Sequence, residues 1–224
     1  MARFRRIEVY QKIGEQGVIP LLYHPDVEVL KGILKACYNG GIRSFEFTNR
    51  GDFAHEVFSD LNKWVIRELP EMILGVGSVI DAGTASIYMQ LGANFIVSPV
   101  LSEEMARVCN RRKVAWMPGC GSASEISKAE ELGAEIVKVF PGTSVGGPGF
   151  VKTFLGPSPW SLIMPTGGVE PTEENLGAWF KSGAYCVGMG SQLITTEIIK
   201  KQEYDLLTLK CKEVIEMIAR IREN

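Results

Sequence analysis

Ile136-Val137-Lys138-Val139-Phe140-Pro141-Gly142 decides how this chain is read. Four apolar residues enclose one lysine, and proline and glycine end the run. A short continuous apolar segment bounded by turn residues predicts a strand buried on both faces, as in a parallel sheet. The segment follows Gly133-Ala134, a glycine suited to ending a helix and leading directly into a strand. The same arrangement recurs outward in both directions. Apolar runs at 18–22, 44–48, 73–76, 95–98, 114–117, 162–165 and 186–188 join 136–140, with starts about 19 to 29 residues apart. Each interval holds one helix. Gly41-Ile42, Gly92-Ala93 and Gly183-Ala184 repeat the helix-ending glycine.

Eight strand–helix units in 224 residues predict an α/β fold, a single-domain (β/α)8 TIM barrel spanning residues 1–224. An open doubly wound sheet is the alternative, but it more often has fewer strands and a strong glycine-rich first turn. Two helical patterns lie outside the eight units. One is an extra N-terminal helix over 4–14. The other covers 199–222, with Leu206, Leu207, Cys211, Val214, Ile215, Ile218 and Ile221 on one stripe.

Composition narrows the function. Hydrophobic residues make up 46% and charged residues 22%, enough for a sizeable core. The net charge of -2 carries no long like-charge run, so no nucleic-acid partner is expected. The Arg3, Arg5 and Arg6 cluster reads as an exposed first helix turn. No run approaches the roughly 20 apolar residues of a membrane span, and no signal-peptide core follows the basic start. Neither a membrane association nor export is therefore expected. Five scattered cysteines without a Cys-x-x-Cys pair suit a reducing cytoplasm rather than a disulfide framework or zinc ribbon. Two histidines, His24 in a loop and His55 in a helix, leave little for a metal site or a serine–histidine relay.

Lys138 is the first chemical anomaly. Burying an unpaired ammonium costs several kcal/mol, and desolvation lowers a lysine's pKa toward a free nucleophilic amine. Glu46, between Phe45 and Phe47 in run 44–48, is the second. A buried carboxyl has its pKa pushed up and suits proton shuttling near neutral pH. A structural ion pair between the two is the competing reading, as is a lysine reaching the strand end to hold a phosphate. Arg50, four residues after Glu46, could clamp a carboxylate or be an ordinary loop arginine. Barrel active sites lie at strand C-terminal ends, and the last two loops frequently bind phosphate through backbone amides. Gly167-Gly168 and Gly190-Ser191 stand at those loops. Gly-x-Gly-Ser at 75–78, 119–122 and 188–191 is not the dinucleotide fingerprint, and no cofactor is expected.

These residues together resemble the 2-keto-3-deoxy-6-phosphogluconate aldolase family, which includes the 4-hydroxy-2-oxoglutarate aldolases. The stretches that carry the resemblance are 41–50 (GIRSFEFTNR), 75–79 (GVGSV), 95–99 (FIVSP), 138–141 (KVFP), 146–148 (GGP) and 165–169 (PTGGV), in this order from about Val18 to Leu193. The resemblance implies a metal-independent class I aldolase, typically a homotrimer. In it Lys138 is the Schiff-base lysine, Glu46 the general acid/base, and Arg50 with Ser78 the carboxylate pocket. Pro99 and Phe140 are apolar walls around pyruvate, and Thr166, Gly167, Gly168, Gly190 and Ser191 face the phosphate. The implied substrate is a phosphorylated 2-keto-3-deoxy sugar acid, cleaved reversibly to pyruvate and glyceraldehyde 3-phosphate.

The chain departs from the family pattern in places. Ser78 replaces threonine with the hydroxyl kept. Asn49, Gly51, Ser122-Ala123 and Gln192 replace other types. Thr166 resembles the gluconate-type rather than the galactonate-type enzymes. A galactonate-type or hydroxy-oxoglutarate activity stays open, and so does a non-catalytic sugar-phosphate binding barrel. A decarboxylase with alternating Asp and Lys is disfavoured, since no aspartate flanks Lys138. A metal-dependent epimerase is disfavoured too, since histidine and aspartate ligands are missing at strand ends.

Overall fold

In the computed structural model, residues 2–223 are described. The chain opens with α1 (Arg6–Gln16), β1 (Val18–Leu22), α2 (Val27–Asn39), β2 (Ser44–Thr48), α3 (Ala54–Glu68), β3 (Ile73–Gly77) and α4 (Ala82–Gln90). It continues through β4 (Phe95–Val97), α5 (Glu103–Arg112), β5 (Ala115–Met117), β6 (Gly119–Cys120), α6 (Ala123–Glu131) and β7 (Ile136–Val139). It ends with α7 (Gly147–Leu155), β8 (Leu162–Pro165), α8 (Glu173–Lys181), β9 (Val187–Met189), α9 (Thr196–Lys201) and α10 (Tyr204–Glu223).

Local signals explain the alternation. Asp26, Asp81, Ser102, Ser122, Thr172 and Thr195 cap their helices by accepting from first-turn amides. Gly41, Gly92, Gly133 and Gly183 end helices at positive φ, between 84° and 100°, where a side chain would be strained.

All strand pairs are parallel. A curled six-stranded sheet runs β5-β4-β3-β2-β1-β9, and a three-stranded sheet runs β6-β7-β8. The single strand expected over 114–117 is instead β5 followed by β6, with Pro118 between them. Proline has no amide to give a ladder, but its carbonyl accepts from Lys138 N at 2.9 Å. A bridge from Thr166 to Gly188 links the ends of β8 and β9.

Two apolar layers follow from the strand alternation. One packs strands against helices and holds Phe45, Phe47, Trp116 and Val137. The other lies on the inner face of the sheet: Ile19, Ile73, Phe95, Val97, Met117, Ile136, Met164 and Cys186. Val9, Tyr10 and Ile13 of α1 join that inner layer and cover the N-terminal ends of the strands. Tyr10 Oη accepts from Trp116 N at 3.0 Å and stands 3.3 Å from Trp116 O. Gln16 binds Ser44 Oγ at 2.9 Å and accepts from Arg43 N. Tyr10→Phe strands a buried amide, so it should cost about 1–3 kcal/mol in urea denaturation.

The N-terminal helix lies two residues later than expected. Arg3 precedes it, and Arg3 and Arg6 are not simply solvated. Arg3 donates to Ile66 O and Met72 O at 3.3 and 3.0 Å, and Arg6 to Asn110 Oδ1 at 2.6 Å and to Gly133 O. The C-terminal pattern over 199–222 is two helices, broken where Gln202 adopts φ 53°. Leu206, placed on the buried stripe, is 42% exposed.

Candidate active site

Ser44, Glu46 and Thr48 share one face of β2, opposite to Phe45 and Phe47. Lys138 shares the inner face of β7 with Ile136. Both charged residues are buried: Glu46 is 2% and Lys138 5% exposed. Burial pushes the Glu46 carboxyl up from its ordinary range, against the opposing pull of Lys138 and Arg50. Burial likewise pushes the Lys138 ammonium down; Glu46 opposes this and Arg50 adds to it. Each group thus senses the other, and both move toward their neutral forms. Among the described residues neither is engaged in a direct ion pair or hydrogen bond. A closed structural salt bridge is therefore not what this interior holds.

Space for the carboxyl comes from Gly77 on the neighbouring strand, where any Cβ would collide with Glu46 Oε1. The residues around Lys138 are equally specific. Its Nζ lies 4.8 Å from the centre of the Phe140 ring. Its neighbour in the ladder is Gly119, where a Cβ would strike the Pro99 backbone, so Pro99, Gly119 and Lys138 stand in a row.

Arg50 is exposed just beyond β2, with its Nε donating to Ser78 Oγ at 3.2 Å. Ser78 holds φ 58°, unusual for a residue with a side chain. That bond ties the arginine across two strand ends, which an ordinary loop arginine lacks.

The remaining expected residues meet at the ends of β8 and β9. Thr166 is 7% exposed, and its N donates to Val139 O at 3.0 Å, one residue from Lys138. The Thr166 hydroxyl has no hydrogen-bond partner. Gly167 and Gly168 both take positive φ. Among the described residues, no protein group accepts from the amides of Gly167, Gly168, Gly190 or Ser191. Because Thr166 bridges to Gly188, these two sets of free amides belong to adjacent strand ends. No group of three or more His, Cys, Asp or Glu able to hold a metal ion occurs among the described residues.

Thr48 was not singled out in the sequence. It is 1% exposed and its Oγ1 has no partner, two residues beyond Glu46 on the same face. The polar stripe Ser44, Glu46, Thr48 in a strand with every residue buried was the available signal.

Similarity to known proteins agrees with this geometry. The family model described as "KDPG and KHG aldolase" matches residues 9–209. A 2-dehydro-3-deoxy-phosphogluconate aldolase of Pseudoalteromonas atlantica is 31% identical, covering 92% of this chain and 93% of that protein. The KHG/KDPG aldolase of Escherichia coli is 28% identical over 89% of this chain and 91% of its own length. Among solved structures, the KDPG aldolase of Legionella pneumophila, with pyruvate captured at low pH as a covalent carbinolamine, superposes with a TM-score of 0.82. It is 27% identical and covers 92% of this chain and 97% of its own.

Proposed function

Since the chain belongs to the KDPG and KHG aldolase family, we propose that it is a metal-independent Schiff-base aldolase cleaving 2-keto-3-deoxy-6-phosphogluconate to pyruvate and glyceraldehyde 3-phosphate. The observation that carries this reading is the buried Lys138–Glu46 pair, in which both groups are pushed toward neutrality. The neutral Lys138 amine adds to the C2 ketone, giving a carbinolamine like that captured in the Legionella relative. Loss of water gives the iminium. The C3–C4 bond then breaks, its electron pair flowing toward the iminium nitrogen, while Glu46 takes the C4 hydroxyl proton through a water. The aldehyde leaves. Glu46 returns a proton to C3 of the enamine, and hydrolysis frees pyruvate and restores the amine.

Arg50 with Ser78 holds the substrate carboxylate, and Phe140 and Pro99 wall the reacting carbons. The unpaired Thr48 hydroxyl holds the shuttling water beside Glu46. The free amides of Gly167, Gly168, Gly190 and Ser191, with the Thr166 hydroxyl, take the phosphate. The two sheets close into one (β/α)8 barrel, with β5 and β6 as a single strand interrupted by Pro118, a reading the Thr166–Gly188 bridge supports. The protein works in the cytoplasm as a homotrimer. Exposed Phe53, Ile80 and Val100, each following one of the adjacent strands β2, β3 and β4, support the association.

Pyruvate with borohydride tests the chemistry. A reduced adduct should be found by mass spectrometry on Lys138 alone; folded protein without it overturns the mechanism. Cleavage assayed across gluconate-type, galactonate-type and hydroxy-oxoglutarate substrates should favour the first, and equal rates would overturn the phosphate role of the free amides.

A further inference from the structure

We infer a second binding site on the N-terminal face, at the opposite end of the strands from Lys138, that takes a nucleoside diphosphate or an anion of that chemistry. A cleft of about 1280 Å³ opens there between the N-terminal segment, the α5–β5 turn and the α6–β7 turn. Six cationic side chains and one carboxylate, Glu135, line it, in a chain whose net charge is -2. Two of the cations, Arg3 and Arg6, are committed to protein carbonyls and to Asn110. The other four, Arg5, Arg111, Arg112 and Lys113, are exposed, and among the described residues none forms an ion pair.

Arg111 and Arg112 sit in the last turn of α5, where cations complement the helix dipole. That effect accounts for two cations at a helix end and does not call for Arg5 from a distant segment facing the same cleft. Self-repulsion among unpaired cations favours a multiply charged anion. Arginine forks match phosphate oxygens. The remaining lining supplies a different surface. Ile7, 71% exposed, and the half-buried Phe4, Leu162 and Tyr185 form an apolar and aromatic floor, with Tyr10 buried beneath it. Phosphate alone leaves that floor unused, whereas a flat aromatic base carried on phosphates covers it.

ADP titrated into the intact protein at low ionic strength, followed by calorimetry, tests the inference. Saturable binding is expected, weakened about ten-fold or more in R111Q/R112Q and in R5Q. Both variants change exposed side chains, and their melting temperatures should stay within a few degrees of the parent's, the small loss in R111Q/R112Q being that of the helix-dipole contacts. Adenosine should bind far more weakly, and pyrophosphate more weakly than ADP. Absence of saturation, or affinity unchanged in both variants, overturns the site. Pyrophosphate binding as tightly as ADP overturns the aromatic half of the inference. ADP binding that disappears after pyruvate–borohydride treatment places the ligand at the Lys138 end and overturns the location. The site does not depend on the proposed aldol chemistry, so either can fail alone.

Discussion

Lys138→Met should remove aldol cleavage while making the protein harder to unfold. Loss of the amine proposed to form the imine should lower kcat by at least about 10⁴-fold, measured as pyruvate release. Methionine fills a similar volume without a charge. Exchanging a buried amine that has no hydrogen-bond partner for a well-packed apolar side chain removes a desolvation cost of about 1–3 kcal/mol. The pH dependence separates the two effects. The folded-state pKa of Lys138 is lowered, so over the window between that value and the usual lysine range the unfolded chain binds the extra proton. Stability therefore rises with pH through that window, and the full cost of burial is present below it. The Met variant should lose this slope in denaturation curves recorded at several pH values. A variant that keeps turnover within about ten-fold of the parent would exclude Lys138 as the nucleophile.

Glu46→Gln should leave the lysine able to form its adduct but slow cleavage by roughly 10²–10⁴-fold, the usual worth of a positioned acid/base. In the parent, acidification protonates both Glu46, whose pKa is raised, and Lys138, whose pKa is lowered. Activity should then fall on the acid side through two coupled ionisations, which belong to the pair rather than to either residue. The Gln variant retains one of them, so the acid limb of its kcat/KM profile should become shallower. An unchanged profile would assign the proton shuttle elsewhere. The stability slope also has a definite sign. A raised folded-state pKa means the native state holds the proton above the ordinary carboxylate range. Stability contributed there is present at low pH and lost as pH climbs through the raised value.

Much of this was legible in the sequence because parallel strands buried on both faces leave an unmistakable trace. Strands β2 and β8 lie where continuous apolar runs placed them. A charge inside such a run is costly, so Lys138 and Glu46 announced themselves. The break at Pro118 was less visible, since Val114–Met117 and Gly119-Cys120 do not differ in hydrophobicity from one longer strand. Thr48 passed unnoticed because threonine is an ordinary strand former, and only the structure reveals that its hydroxyl lacks a partner. Gly77 looked like part of a repeated turn motif, whereas its task is to lack a side chain where Glu46 needs room. The split between α9 and α10 rests on one left-handed residue, Gln202, a type that carries no helix-stop signal.

Helix α1 has a kinetic consequence. With Val9, Tyr10 and Ile13 packed under the inner layer, the interior has a floor, and traffic must pass by the rim where Arg50 and Ser78 stand. In the proposed reaction the pyruvate half stays covalently held on Lys138 after C3–C4 cleavage, while the aldehyde half is free to leave past that rim. On that mechanism the products depart in a fixed order, aldehyde first and keto acid last. Pyruvate then meets the emptied enzyme as a direct competitor of the sugar acid, while the aldehyde finds a reactive partner only after pyruvate has already entered.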